Sequence, residues 1–380
     1  MRRNTRFIHD AQPPDPLTGA VNPPIYLSST FRQFAPERHQ GYVYGRSGNP
    51  TRTVLEAALA SAEGGRAGLA FSSGLGALTT LLEAFPSGSR IVTGDDLYGG
   101  TWRLMDHHRR QFGVRTEFAD LGSEEVVDRL LAEPADLVYL ESPTNPLLKV
   151  VDIAAIARKA HRAGAVVAVD NTFATPALQR PLERGADIVL HSTTKYLGGH
   201  SDIIGGALVF RDRRTARRYA WLQNAVGAVP SPFDCYLVIR GLRTLGLRMR
   251  AHGESARAVA RALERSPKVR RVYYPGLTSH PQHQLARRQM DGYGGIVSVE
   301  LRGGRASALR FLRRLKVFTL AESLGGVESL VDHPATMTHA SVPEAARIAH
   351  GITDGLLRLS CGIEDPADLA DDVRSALGGT

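Results

Sequence analysis

Lys195 lies in the run His191-Ser-Thr-Thr-Lys-Tyr-Leu-Gly-Gly-His-Ser-Asp202, directly after Ala186-Asp-Ile-Val-Leu190. The preceding segment is short and apolar, which predicts a buried strand. Open α/β sheets bind their ligands at strand ends. A lysine there, flanked by hydroxyls that could hold a phosphate, is suited to form a Schiff base with a phosphorylated aldehyde cofactor. The competing reading is an exposed loop lysine among serines and threonines.

Four more segments bear on that choice. Phe71-Ser-Ser-Gly-Leu-Gly-Ala77 runs from a predicted strand into a predicted helix. Glycines let the backbone approach closely, and free N–H groups at a helix start attract an anion. The segment is a phosphate cradle or an ordinary small-residue turn. It lacks the lysine of a Walker loop and the spacing of a dinucleotide fingerprint. Val166-Val-Ala-Val-Asp170 ends a buried strand in a carboxylate. A buried Asp needs a partner, and a protonated pyridinium nitrogen would be one; capping the next helix is the alternative. Tyr98, in Asp95-Asp-Leu-Tyr-Gly-Gly-Thr101, either stacks on a cofactor ring or is a partly exposed turn residue. Leu356-Leu-Arg-Leu-Ser360 buries an arginine in an apolar strand, which calls for a substrate carboxylate or a structural Asp.

Tyr44 and Arg46 stand two apart in Tyr42-Val-Tyr-Gly-Arg-Ser-Gly-Asn-Pro-Thr51. In extended chain they point the same way. They form a phosphate clamp, or they are a packing tyrosine and a surface arginine.

Composition limits the alternatives. The 380 residues are 43% hydrophobic and 22% charged, enough for a large core and two domains. No apolar run is long enough for a membrane helix, and the first residues lack the apolar core of a secretory signal. Cys235 and Cys361 are the only cysteines and have no metal-ligand spacing, so a reducing cytoplasm is expected, with no metal. The formal net charge of +9 raises nucleic-acid binding. The basic residues are dispersed, however, and an anionic cofactor with an arginine-rich surface accounts for them. A basic nucleic-acid-binding protein stays as the different-class alternative.

The elements that must position these residues follow from periodicity. Prolines through the first forty-five or so residues exclude long helices and predict an extended arm. Helices are expected at 51–62, 76–85, 101–112 and 153–163, and strands at 68–71, 90–93, 136–140, 165–169, 186–190 and 206–210. Apolar strands alternating with helices mean a mostly parallel sheet covered on both faces. A long helix through 264 leads to strands at 269–274, 295–301 and 356–360, a helix at 306–315 and a C-terminal helix. That order suggests a smaller α+β domain. The expected division is an arm at 1–46, a large domain at 47–245 and a small domain at 246–380.

Taken together, these motifs resemble the Cys/Met-metabolism family of pyridoxal-phosphate enzymes, over nearly the whole chain. Tyr44-Gly-Arg46-Ser-Gly-Asn-Pro-Thr, Val169-Asp170-Asn-Thr, Ser192-Thr-Thr-Lys195-Tyr, Ser323-Leu-Gly-Gly-Val-Glu-Ser-Leu and Arg358-Leu-Ser carry the likeness. The resemblance implies an α/β, aspartate-aminotransferase-type (fold type I) enzyme with pyridoxal 5'-phosphate on Lys195. It implies that Asp170 pairs with the pyridinium and that Tyr98 stacks. Ser73, Gly74, Leu75, Ser192 and Thr194 would bind the phosphate. Tyr44 and Arg46 would reach the phosphate of a neighbouring subunit, within a homotetramer built of dimers. Asn145, Ser323 and Arg358 would form the substrate-carboxylate pocket.

The implied reaction is γ-elimination or γ-replacement on sulfur amino acids. Cystathionine γ-lyase activity is expected first, γ-synthase activity on an activated homoserine ester second, and methionine γ-lyase activity third. Gly45 replaces the usual serine of the arm. Gly100 replaces a cysteine common in methionine γ-lyases. Glu322, before Ser323-Leu-Gly-Gly, resembles cystathionine-handling members and could meet the distal ammonium of cystathionine.

Overall fold

Apolar runs alternate sides when they become strands, and the two sides of this sheet show it. The computed structural model describes residues 1–340 and 342–378. Its larger sheet has seven strands in the order Ala67–Phe71, Gly206–Phe210, Ile188–Ser192, Val166–Asp170, Leu137–Glu141, Arg90–Gly94 and Arg115–Ala119. Gly206–Phe210 runs antiparallel to both neighbours, and the remaining pairs are parallel. Val138, Leu140, Val167, Val169 and Val209 face one core, packed on the Pro50–Glu63, Ile153–Arg162 and Pro232–Arg243 helices. Leu137, Tyr139, Ala168, Ile188 and Phe210 face the other, under Gly74–Leu82 and Arg213–Val226. Each fully buried aliphatic side chain contributes roughly 1.5–3 kcal/mol, so both faces must be covered.

The helix that follows the arm is set by local chemistry. Asn49 accepts hydrogen bonds from the N–H groups of Thr51 and Arg52, Pro50 opens the first turn, and Gly64 ends the helix at φ 73°.

The second sheet has five strands in the order Val269–Tyr273, Ile296–Leu301, Leu356–Ser360, Leu330–Asp332 and Thr319–Leu320. All its pairs are antiparallel except the last. The helices Leu245–Glu264 and Pro366–Gly378 pack together on one face of this sheet.

Several expectations need correction. The long helix through 264 is two helices, Pro232–Arg243 and Leu245–Glu264, broken at Thr244. The break lets Gly241 approach the Gly198 carbonyl, where an added Cβ would come within 2.2 Å. The arm is not wholly extended. Arg3–His9 is helical and buries Phe7, and Gln33–Ala35 pairs with Arg38–His39. The strand Arg115–Ala119 and the helix Arg213–Val226 were not foreseen, because their polar, half-exposed residues mask the period.

Candidate active site

The parallel strands end side by side, and the loops beyond them carry the reactive side chains. In-register pairing sets Glu141 against Asp170 and Asp170 against Leu190, so Ser192 and Lys195 follow just beyond. A cavity of about 610 Å³ opens over these ends and takes its far wall from residues 321–338 and Arg358. It is lined by Ser73, Gly74, Leu75, Tyr98, Asn145, Asp170, Ser192, Thr194, Lys195, Glu322, Ser323 and Arg358. Tyr44 and Arg46 lie outside it. Tyr44 is 46% exposed, and Arg46 donates to the Asn224 carbonyl at 2.5 Å.

Lys195 Nζ donates to Ser323 Oγ at 2.8 Å. Burial, and then the charge of Arg358, lower its pKa to about 8, so a neutral amine is accessible near neutral pH. Asp170 accepts from the Thr172 N–H at 2.9 Å and from the Tyr139 hydroxyl at 3.3 Å. Burial raises its pKa, against the hydrogen bonds from Thr172 that lower it. Tyr98 is 40% exposed, and its backbone N–H donates to Glu141 Oε2 at 3.2 Å.

Ser73 caps the Gly74–Leu82 helix by accepting the Gly76 N–H at 2.9 Å. The first N–H groups of a helix have no intrahelical acceptor. Gly74 lies so near Ser192 that an added Cβ would stand 3.0 Å from the serine Cβ. Thr194 is tied to Gly205 through its hydroxyl, which donates at 3.2 Å and accepts at 3.0 Å.

Arg358 lies in a strand between Ser298 and Asp332. It forms an ion pair with Asp332 and donates to Asn145 Oδ1 at 2.8 Å and to the Ser323 carbonyl at 2.9 Å. Among the described residues its buried Nε has no partner. Of the two alternatives posed for this arginine, the structural Asp is present. Ser323 is held at φ 88°. Glu322 is exposed on the cavity wall.

Sequence reasoning missed Glu141, Tyr139, Thr172, Glu328 and Thr338, all of which line the cavity. Glu141 had a readable signal, since it ends an apolar strand in a carboxylate just as Asp170 does. His339, also missed, bridges the carbonyls of Leu97 and Asn145 at 3.1 and 3.2 Å and joins the two loops. Burial lowers its pKa to about 4, so it does this as a neutral ring.

The arrangement fits pyridoxal phosphate. The helix start at Gly74 would take an anion where a side chain has no room, Lys195 is a half-buried amine of lowered basicity, and Asp170 is a carboxylate that would pair with a ring cation.

Comparison with known proteins agrees. Residues 4–378 match the family model of Cys/Met metabolism PLP-dependent enzymes. The chain is 52% identical over 376 residues to a cystathionine β-lyase of Coxiella burnetii, covering 98% of this chain and 97% of the relative. It is 48% identical over 377 residues to a cystathionine γ-lyase of Bacillus subtilis, covering 99% of each. The crystal structure of cystathionine γ-synthase from Xanthomonas oryzae pv. oryzae in complex with cystathionine superposes with a TM-score of 0.97 at 47% identity, over 100% of this chain and 98% of that one. The chain therefore belongs to the Cys/Met-metabolism family of pyridoxal-phosphate-dependent enzymes and has the fold type I architecture. Among the described residues no helix is long and apolar enough to cross a membrane.

Proposed function

We propose that the enzyme cleaves L-cystathionine by γ-elimination and that water then hydrolyses the eliminated fragment, giving cysteine, 2-oxobutanoate and ammonia. The relatives with similar identity divide among β-lyase, γ-lyase and γ-synthase activities, so overall likeness does not separate them. The observation that carries the choice of cystathionine as substrate is the acidic rim of the cavity. Glu322 and Glu328 line it together with Arg358, which suits a substrate with a carboxylate to anchor and a second ammonium beyond it.

In this reading Lys195 holds the cofactor, Asp170 keeps the ring nitrogen protonated, and Tyr98 stacks on the ring. Ser73, Gly74, Leu75, Ser192 and Thr194 hold the phosphate. When bound, the pyridinium ring withdraws electrons from the substrate Cα and stabilises a carbanion there. Arg358, with Asn145 and Ser323, grips the α-carboxylate. Lys195, as a free amine, would take the Cα proton, give it up again, and then take a Cβ proton as the Cγ–S bond breaks. The hydroxyl of Tyr98 protonates the departing sulfur. Addition of a thiol at Cγ would instead give replacement.

The assembly completing this site is a homotetramer built from two dimers, with residues 1–46 as the arm, 47–245 as the large domain and 246–380 as the small one. Tyr44 and Arg46 of the arm reach a neighbour's phosphate. Exposed Leu17, Val21, Leu27 and Phe34 on the same arm support burial against another copy. The enzyme works in the cytoplasm on small amino acids, with neither nucleic acid nor membrane as partner.

The test is a change of specificity. Glu322→Gln should raise KM for L-cystathionine roughly tenfold while changing KM for methionine little, as expected for loss of one charge-assisted contact. Equal effects on both substrates would remove Glu322 from the account.

A further inference from the structure

Glu141 ends the Leu137–Glu141 strand, is buried, and lines the cavity. Its in-register neighbour is Asp170. Its Oε2 accepts the backbone N–H of Tyr98 at 3.2 Å, and the backbone N–H of Asn145 also hydrogen-bonds to its carboxyl. One side chain thus touches the loops carrying the ring-stacking tyrosine and a residue of the carboxylate pocket, and it does so from the strand beside Asp170.

We propose that Glu141 is a positioning residue whose carboxyl ties the Tyr98 loop and the Asn145 loop to the strand end that carries Asp170. The inference deepens the reading above and rests on the cavity holding pyridoxal phosphate over Asp170.

The charge state follows from the neighbours. The charges acting on Glu141 are those of Asp170 on the adjacent strand and Asp96 on the Tyr98 loop, set against the N–H groups of Tyr98 and Asn145. Two carboxylates at adjoining strand ends in a buried site do not both ionise readily. Asp170 receives the Thr172 N–H and the Tyr139 hydroxyl, so the negative charge settles there. Burial and then the charge of Asp170 hold the Glu141 carboxyl well above the usual carboxylate range. Of the two, Glu141 is therefore the carboxyl that favours the neutral acid. A carbonyl oxygen suffices to accept the Tyr98 N–H, and a second negative charge beneath the ring is avoided.

Two variants test this. Glu141→Gln keeps a carbonyl acceptor and the neutral state, whereas Glu141→Ala removes both contacts. The readouts are affinity for added pyridoxal phosphate, the pH dependence of the bound cofactor's visible absorbance, and kcat/KM. Glu141→Gln should stay within about threefold of wild type in all respects. Glu141→Ala should bind the cofactor roughly tenfold more weakly, shift the absorbance profile and lose at least about tenfold in kcat/KM. A Gln variant as impaired as the Ala variant would show that the charge matters and overturn the proposal. An Ala variant with wild-type cofactor affinity and spectrum would do the same. Wild-type protein that stays colourless with added pyridoxal phosphate would overturn the cofactor reading itself, a failure separate from either variant's.

Discussion

The amine of Lys195 donates to the hydroxyl of Ser323 at 2.8 Å, across 128 residues of chain. Ser323 also offers its carbonyl to Arg358 at 2.9 Å. One residue in a left-handed conformation, φ 88°, therefore links Lys195 to Arg358. Ser323→Ala should lower kcat/KM by about tenfold or more, the worth of a hydrogen bond to a charged group. Ser323→Gly should lose the same activity but keep more thermal stability than Ala, since glycine accepts that backbone without cost. Kinetics and melting of the two variants check this; an Ala variant as stable as the Gly variant would contradict it.

Lys195 also leaves a mark on stability. Its folded pKa of about 8 lies below the ordinary lysine value of 10.5. The unfolded chain therefore holds more protons between those values, and stability should rise with pH across that window. Below it the buried charge costs stability. In cofactor-free protein, Lys195→Met should abolish this rise and should be the more stable protein at pH 7. Chemical denaturation across pH 7 to 10 decides the matter, and an unchanged slope in the Met variant would refute it.

Gly100 sits under the Tyr98 ring. A Cβ there would fall 2.5 Å from Tyr98 Cε1. Gly100→Ala should displace the ring from its present place and impair cofactor stacking, with a changed visible circular dichroism of the bound cofactor and a fall in kcat of about tenfold. An unchanged spectrum would show that the ring stands clear of this position.

Arg358 and Asp332 form a buried ion pair. Removing one partner leaves an uncompensated charge, so Asp332→Ala should destabilise the fold by about 3–5 kcal/mol. Arg358→Lys should be milder for stability but should raise KM for amino-acid substrates at least about tenfold, because a lysine lacks the planar guanidinium and its free Nε donor. Denaturation and steady-state kinetics separate the two effects.

Tyr44 and Arg46 lie away from their own chain's cavity. If they complete a neighbour's site, Lys195→Ala and Arg46→Ala proteins should be nearly inactive alone. Refolded together, they should recover up to about a quarter of wild-type activity, because half of the mixed dimers' sites are intact. No recovery would place Arg46 in its own subunit's chemistry or in none.

Much of this site could be read from residue types at strand ends. Lys195, Asp170 and Arg358 each stand out because a charged residue ends or interrupts an apolar run, and the structure gathers them around one cavity. Glu141 carries the same signal but lacks a second local clue. Asp332 was hidden because its strand is only three residues long. The pairing of Asp332 with Arg358 depends on sheet register, which a linear pattern does not reveal. The edge strand Arg115–Ala119 is polar on its outer side and so lacks the apolar run of its neighbours. The break at Thr244 is invisible locally, because neither proline nor a positive φ marks it; close packing of Gly241 on Gly198 does.

The central claim is γ-elimination from L-cystathionine, and the products test it most directly. Purified, cofactor-loaded enzyme should release cysteine, 2-oxobutanoate and ammonia in equal amounts. Homocysteine with pyruvate would show cleavage on the other side of sulfur and contradict the account. Intact cystathionine beside yellow, folded enzyme would contradict it as well and would point to replacement chemistry on an activated homoserine ester.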